Sequence, residues 1–240
     1  MSARELWTVD LGHLSYVDAL ALQRAAAAAR IAGRLPQDAL LLVEHPPVVT
    51  LGRTAKAGNV TVSDAALAER GVERFDVERG GDVTFHGPGQ LVGYPIVDLR
   101  RHRLDLHWYL RQIEEALIRS LAELGVAAHQ DVGRTGVWVA GRKIASIGVH
   151  ARDWVTWHGF ALNVTTDLRM FNVVVPCGID GVVMTSVEQE IVKSSDRHIE
   201  QSSLWPQTRE GVLAGFASAF GVDVVPGNLP TVEGVESLNH

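Results

Sequence analysis

Between residues 126 and 164, four apolar stretches follow one another with gaps too short to hold a helix. Residues 126–130, 136–140, 143–151 and 155–164 read as strands, joined by links such as Gly141-Arg142. Strands joined so tightly pair antiparallel, because a parallel return needs a crossover of about a dozen residues or more. The sheet they form has to be covered, and the rest of the chain supplies the cover.

The clearest helix starts at Asp105 and stops at Gly125, with Leu106, Leu110, Ile113, Leu117, Leu121 and Leu124 spaced by threes and fours along one face. A second opens at Ser15, whose spacing to Asp18 resembles a capping box, and runs through the alanines 25–29 to Gly33. Ser63 caps a short helix ending near Gly71, and residues 204–220 form the last one. Further strands are predicted at 39–43, 48–51, 72–78, 82–85, 91–99 and 221–225. The expected fold class is α/β of the α+β type, a mixed, largely antiparallel sheet flanked by helices. It forms a single domain over residues 1–225, with 226–240 as a flexible C-terminal tail rich in Gly, Pro and polar groups.

Composition removes several classes of function. Hydrophobic residues make up 46% of the 240 and charged residues 21%, enough for a substantial core. A net charge of −6 argues against nucleic acid as the main partner. No stretch approaches the ~18 uncharged apolar residues of a membrane span, and residues 1–10 lack a basic region followed by an apolar core. A soluble, cytoplasmic protein is expected, with no membrane partner. The single cysteine excludes an internal disulfide and a thiolate zinc site, and no His-Glu-x-x-His occurs among the ten histidines. Neither a metal nor a cofactor is expected.

That cysteine, Cys177, lies in Val-Val-Val-Pro-Cys-Gly (173–178), a turn-like end to an apolar run. A strand ending this way delivers a thiol to a sheet edge, where it can serve as a nucleophile; a buried cysteine serves as a small hydrophobe. Of 22 basic residues only Lys56, Lys143 and Lys193 are lysines, the one cation of the two that can lose its proton when desolvated. Lys143 opens a strand whose Ala145, Ser146 and Gly148 leave room for a slender ligand, although a lysine beside a hairpin turn is commonly solvated.

The string Arg79-Gly-Gly-Asp-Val-Thr-Phe-His-Gly-Pro-Gly-Gln90 joins glycines, which permit close backbone approach, to the donors Arg79 and His86. It reads equally as a pair of tight turns around a hairpin, and it is not a phosphate loop, having no Gly-Lys-Ser/Thr ending. Trp157-His-Gly-Phe-Ala161 again sets small residues where a ligand can lie, and His158 could serve either as a base for Cys177 or as a satisfied core residue. His102 and His107 flank a charged turn and read as surface residues.

Taken in order, Glu44-His-Pro, Thr50-Leu-Gly-Arg53, residues 79–95, Gly136-Val-Trp138, Lys143 with Ser146-Ile-Gly148, His158–Asn163 and Pro176-Cys-Gly178 resemble the lipoyl(octanoyl) transferase family, the octanoyl-carrier-protein:protein transferases. The likeness runs from about residue 5 to 220. Phe85 and Thr185-Ser-Val187 depart slightly from the family pattern, and residues 190–203 carry no usable likeness.

The resemblance implies the fold of lipoate–protein ligases and the biotin ligase catalytic domain. It implies Cys177 as the acylated nucleophile and Lys143 as its activating partner. By position it assigns Arg79, Gly80, Gly81, Asp82, Val83, Thr84, Phe85 and His86, then Ser146, Ile147 and Gly148, then His158, Gly159, Phe160 and Ala161 to the acyl group and its thioester. The implied donor is octanoyl-acyl carrier protein. The implied acceptors are lipoyl domains of 2-oxoacid dehydrogenase E2 subunits and the glycine cleavage H protein. Lys143 would act as acid and base or as a charge that stabilises the thiolate; the sequence leaves both open. An acidic carrier calls for a basic patch, for which Arg100, Arg101 and Arg103 are the first candidates, with Arg142 and Arg152 as alternatives. The rival activities are an ATP-dependent lipoate or biotin ligase, a thioester hydrolase using Cys177 and His158, and a lipoyl-group binder without catalysis.

Overall fold

A computed structural model describes residues 4–175, 178, 181–194 and 201–229. Its main sheet holds eight strands in the order β11-β1-β2-β6-β10-β9-β8-β7. In chain order these are β1 (Glu5–His13), β2 (Asp38–Glu44), β6 (Gln90–Ile96), β7 (His129–Asp131), β8 (Arg134–Val139), β9 (Arg142–Arg152), β10 (Val155–Asn163) and β11 (Asp223–Pro226). The ladder from β2 to β7 is antiparallel, while β1 lies parallel to both β2 and β11. A second, three-stranded sheet sets β3 (Val48–Leu51) between β4 (Glu73–Asp76) and β5 (Val83–His86).

Alternation along the strands divides the core. Leu40 and Leu42 of β2, with Phe160 and Leu162 of β10, pack under α3 (Leu106–Glu123) and α5 (Gln201–Phe220). Leu41 and Val43, with Val92, Tyr94, Trp157 and Ala161, face α1 (Tyr16–Ile31) on the other side. A third cluster joins the small sheet, α2 (Asp64–Glu69) and the turn of helix Leu168–Val173. The Ser15 cap forms as its spacing predicts, with the hydroxyl accepting from the Asp18 N–H at 3.2 Å.

The fold class and the paired hairpins agree with the sequence reading, and several details do not. The strand expected at 126–130 is reduced to β7 at the sheet edge, because Val126 turns into the α3–α5 core. β1 and α4 (Val187–Ser194) have no counterpart among the predicted elements. His102 is no surface residue: its ring is 3% exposed and lies 2.8 Å from Asp38, which also takes Arg30 at 2.9 Å. At the other end, the Gly227 N–H bonds Thr8 O at 3.1 Å and Leu229 packs on the α1 core; residues 230–240 lie outside the described ones.

Candidate active site

A cavity of about 370 Å³ opens between the small sheet and the α1-side face of β6, β10 and β9, within the size range of small-molecule sites. Two hairpins build its floor. Ala140 and Gly141 at the β8–β9 turn both have positive φ, as do Asp153 and Trp154 at the β9–β10 turn. That is the pattern of tight two-residue hairpins; β9 and β10 stay in unbroken register, while the β8–β9 pairing shifts by one residue between Val137 and Trp138. Lys143 thereby enters as the second residue of β9.

Lys143 lines the cavity and is 2% exposed. Its Nζ donates to Thr135 O at 3.0 Å and stands 5.2 Å from the centre of the Trp138 ring. Room for this stem comes from Gly136, whose φ is +130° and at which a Cβ would meet Lys143 Cε at 2.6 Å. The Lys143 backbone is tied in turn to the chain beyond Cys177: its N–H donates to Val183 O at 2.8 Å, and its carbonyl accepts from the Thr185 N–H at 2.9 Å.

The family-assigned residues gather with two exceptions. Arg79, Gly81, Asp82, Val83, Thr84 and His86 line one wall, and Ser146, Ile147, Gly148, His158, Gly159, Phe160 and Ala161 the other. Gly80 is absent from the lining; its N–H donates to Val149 O at 2.8 Å and joins the loop to β9. Phe85 points away from the cavity, against Phe171 at 5.6 Å, because alternation on β5 sends it to the small-sheet core. Cys177 lies outside the described residues. Of its described neighbours, the Val175 N–H donates to Asn59 O at 2.7 Å, and a Cβ on Gly178 would lie 2.3 Å from Asp82 Oδ2.

Arg79 spans the wall as a brace. Its guanidinium donates to Thr50 O at 2.7 Å, to Thr50 Oγ1 at 3.0 Å and to Gly80 O at 3.1 Å. Beside it, His86 donates from Nδ1 to Gln90 Oε1 at 2.8 Å, and Gln90 Nε2 donates to Asn163 Oδ1 at 2.9 Å. Asn163 Nδ2 completes the line by donating to Thr185 O at 3.0 Å. Every member is buried, so each amide must have its partner.

One end of the cavity is lined by aromatic rings. Tyr16 stacks on His86 at 5.9 Å, and Tyr94 donates to His45 Nε2 at 2.7 Å while His45 Nδ1 donates to Leu14 O at 2.8 Å. Burial pushes the imidazole of His86 down to about 3 and that of His45 to about 4, and raises the Tyr16 phenol to about 12. Burial also lowers the His158 imidazole, against the pull of Glu78 at 3.8 Å. The Glu78 carboxylate is held well below its usual range by His158 first, then Arg24 and Trp157, against the opposing effect of burial.

Sequence reasoning missed Tyr16, His45, Glu78 and Tyr94. The Glu44-His-Pro string was a signal for His45, Glu78 directly precedes Arg79 and Tyr94 falls inside the string 79–95, while Tyr16 is brought in from the start of α1. Arg100, Arg101 and Arg103 are absent from the cavity lining: Arg100 clasps Asp98 at 2.8 and 2.9 Å, Arg101 bonds Pro36 O at 3.0 Å, and Arg103 lies 3.4 Å from Asp105. Arg142 is paired with Glu190 at 2.7 Å, and Arg152 lies 3.7 Å from Asp153. Among the described residues there is no group of histidine and carboxylate side chains fit to hold a metal, and no helix is long and apolar enough to cross a membrane.

Residues 15–202 match the family model of the lipoyl protein ligase A/B catalytic domain. The chain is 54% identical to an octanoyltransferase of Acidobacterium capsulatum, over 89% of this chain and 87% of that one. It is 46% identical to an octanoyltransferase of Gloeobacter violaceus, over 92% and 93%. Among solved structures it is similar in fold to lipoate-protein ligase A bound with ATP, with a TM-score of 0.72 and 19% identity over 96% of this chain and 90% of that one. The bi-partite lipoate protein ligase of Thermoplasma acidophilum superposes equally well, with a TM-score of 0.72 and 20% identity over 96% and 88%.

Proposed function

The chain belongs to the octanoyltransferase family, and on that premise we propose that it moves an octanoyl group from acyl carrier protein to a lysine of a lipoyl domain through a thioester on Cys177. It is an acyltransferase of protein lipoylation. The observation that carries the mechanism is the amine of Lys143, almost wholly buried yet lining a cavity with apolar and aromatic walls. Support for Cys177 as its partner comes from the described residues around it. Val175 and Gly178 lie against Asn59 and Asp82, and the chain that follows is laced to the Lys143 backbone.

A thioester is already activated, so the exchange runs without ATP or a cofactor. In the first step the Cys177 sulfur attacks the carbonyl carbon, and the carrier's thiol leaves with the proton that Lys143 has taken from Cys177. In the second step the acceptor amine attacks the acyl-enzyme, and Lys143 passes the amine's proton to the departing Cys177. A Lys143 that stays charged would instead serve the first step by holding the thiolate. Residues 79 and 81–86, 146–148 and 158–161 surround the acyl chain, whose seven methylene-sized groups contribute on the order of 5 kcal/mol when buried. The machinery belongs to one catalytic domain, a reading supported by the unbroken main sheet from β1 to β11. The acceptors in this reading are lipoyl domains of 2-oxoacid dehydrogenase E2 subunits and the glycine cleavage H protein, and the compartment is the cytoplasm.

The test is intact-mass measurement after mixing the protein with octanoyl carrier protein in the absence of nucleotide. A single octanoyl adduct mapped to Cys177, lost in Cys177→Ala together with transfer, is the expected result. Transfer that persists in Cys177→Ala, or that requires ATP, would replace this mechanism with adenylate chemistry.

A further inference from the structure

The carrier protein stays outside while its acyl chain enters, so it must sit on the rim of the cavity. Four cations line that cavity. Arg79 and Lys143 are buried and bonded to backbone carbonyls of the walls. Lys56 and Arg134 are the outer ones, on the loop after β3 and at the first residue of β8. Arg134 lies over the Trp138 ring at 4.2 Å, with Asp131 beside it. Lys56 has no carboxylate within 4.0 Å among the described residues.

The same rim carries exposed apolar side chains. Val132, at the tip of the β7–β8 turn and two residues before Arg134, is 97% exposed, the most of any large hydrophobic residue described. Val183, whose carbonyl accepts from the Lys143 N–H, is 57% exposed. Among the described residues Lys56 is a cavity-lining cation without a carboxylate of its own, and Val132 and Val183 are bare valines joined to the lining residues Gly133 and Lys143, by chain adjacency and by a backbone hydrogen bond; in a chain of net charge −6 they depart from an ordinary charged surface. Arg134 is paired with Asp131, as Arg100, Arg103, Arg142 and Arg152 are with carboxylates of their own, so what distinguishes this rim is Lys56 and the position of both cations on the cavity lining.

We infer that the rim formed by Lys56, Val132, Arg134 and Val183 is the docking surface for the acidic face of the acyl-donor protein. The inference rests on the reading of the donor as a carrier protein. Lys56 and Arg134 meet its carboxylates, the valines meet apolar side chains between them, and the tethered thioester passes inward toward Lys143.

Steady-state transfer is compared for three octanoyl thioesters: the carrier protein, phosphopantetheine and N-acetylcysteamine. Lys56→Glu and Val132→Asp are each expected to raise KM for the carrier about tenfold with kcat little changed. In Val132→Asp, which lies off the cavity lining, turnover of both small thioesters should stay within about twofold, and the carrier KM of the unaltered protein should rise with salt. Arg100→Glu and Arg103→Glu should leave the carrier KM where it was. An equal loss with N-acetylcysteamine would overturn the proposal by making the effect one of the cavity itself. A loss shared by phosphopantetheine alone would overturn it by assigning the rim to a phosphate, and an unchanged carrier KM would overturn it outright. Failure of the unaltered protein to transfer from any of the three thioesters would instead sink the transferase mechanism on which the surface depends.

Discussion

Ala161 and Gly148 both line the cavity, yet a larger side chain at each would do different things. A Cβ on Gly148 meets Gly80 O at 2.8 Å and Arg79 Cδ at 3.2 Å, so bulk there strikes the Arg79 loop before it fills the acyl space. Ala161 already has a Cβ, is 3% exposed and sits among Val92 and Tyr94 at the aromatic end. Ala161→Leu adds about three methylene-sized groups, which should shift preference from octanoyl to a chain shorter by two carbons or more, with a loss of about tenfold or more for octanoyl. Competition between hexanoyl and octanoyl carriers measures the ratio; an unchanged ratio would move the acyl chain elsewhere in the cavity. Glycine and cation placement made much of this wall legible in the sequence, because Arg79–His86 and His158–Ala161 are continuous strings. Tyr16 and Tyr94 were not, since a tyrosine in a helix end or a buried strand carries no local mark of facing a ligand.

Between elements, the line His86–Gln90–Asn163–Thr185 joins β5, β6 and β10 to the segment that runs beside Lys143. Asn163→Leu removes the central amide and leaves Thr185 O and Gln90 Nε2 without that partner in a dry interior. The expected cost is about 1–3 kcal/mol of stability by urea unfolding, with a fall in kcat as Thr185 loosens from the Lys143 backbone. Unchanged unfolding and turnover would mean that the line is ornamental. The elements themselves were unequally readable. Helix α3 announced itself by its leucine spacing, and β8, β9 and β10 by their short links. β1 escaped because its polar residues interrupt the alternation and its parallel partners lie far along the chain. Among the described side chains of α4 only Val187, Glu190 and Ile191 are buried, although Ser186 accepting from the Gln189 N–H at 3.3 Å is the kind of cap that sequence can reveal.

Acid should weaken the molecule through histidines that its interior keeps neutral. His45 and His86 titrate near 4 and near 3 in the fold and at 6.5 when ordinary. Above pH 6.5 neither state binds the proton, and the two rings leave stability unchanged. Below it the unfolded chain takes protons that the folded one refuses. Stability then falls by about 1.4 kcal/mol per pH unit for each ring, until about pH 4 for His45 and about pH 3 for His86. Urea midpoints at pH 7, 6 and 5 should drop less steeply in His45→Gln than in the unaltered protein; parallel curves would mean that His45 is protonated in the fold.

At the same scale, the main sheet seats its earliest strand between a partner made soon afterwards and one made near the end. During synthesis β1 therefore waits with one flank bare until β11 has left the ribosome, and an open flank invites pairing with other chains. A growing chain stalled before residue 223 is therefore a natural client for chaperones.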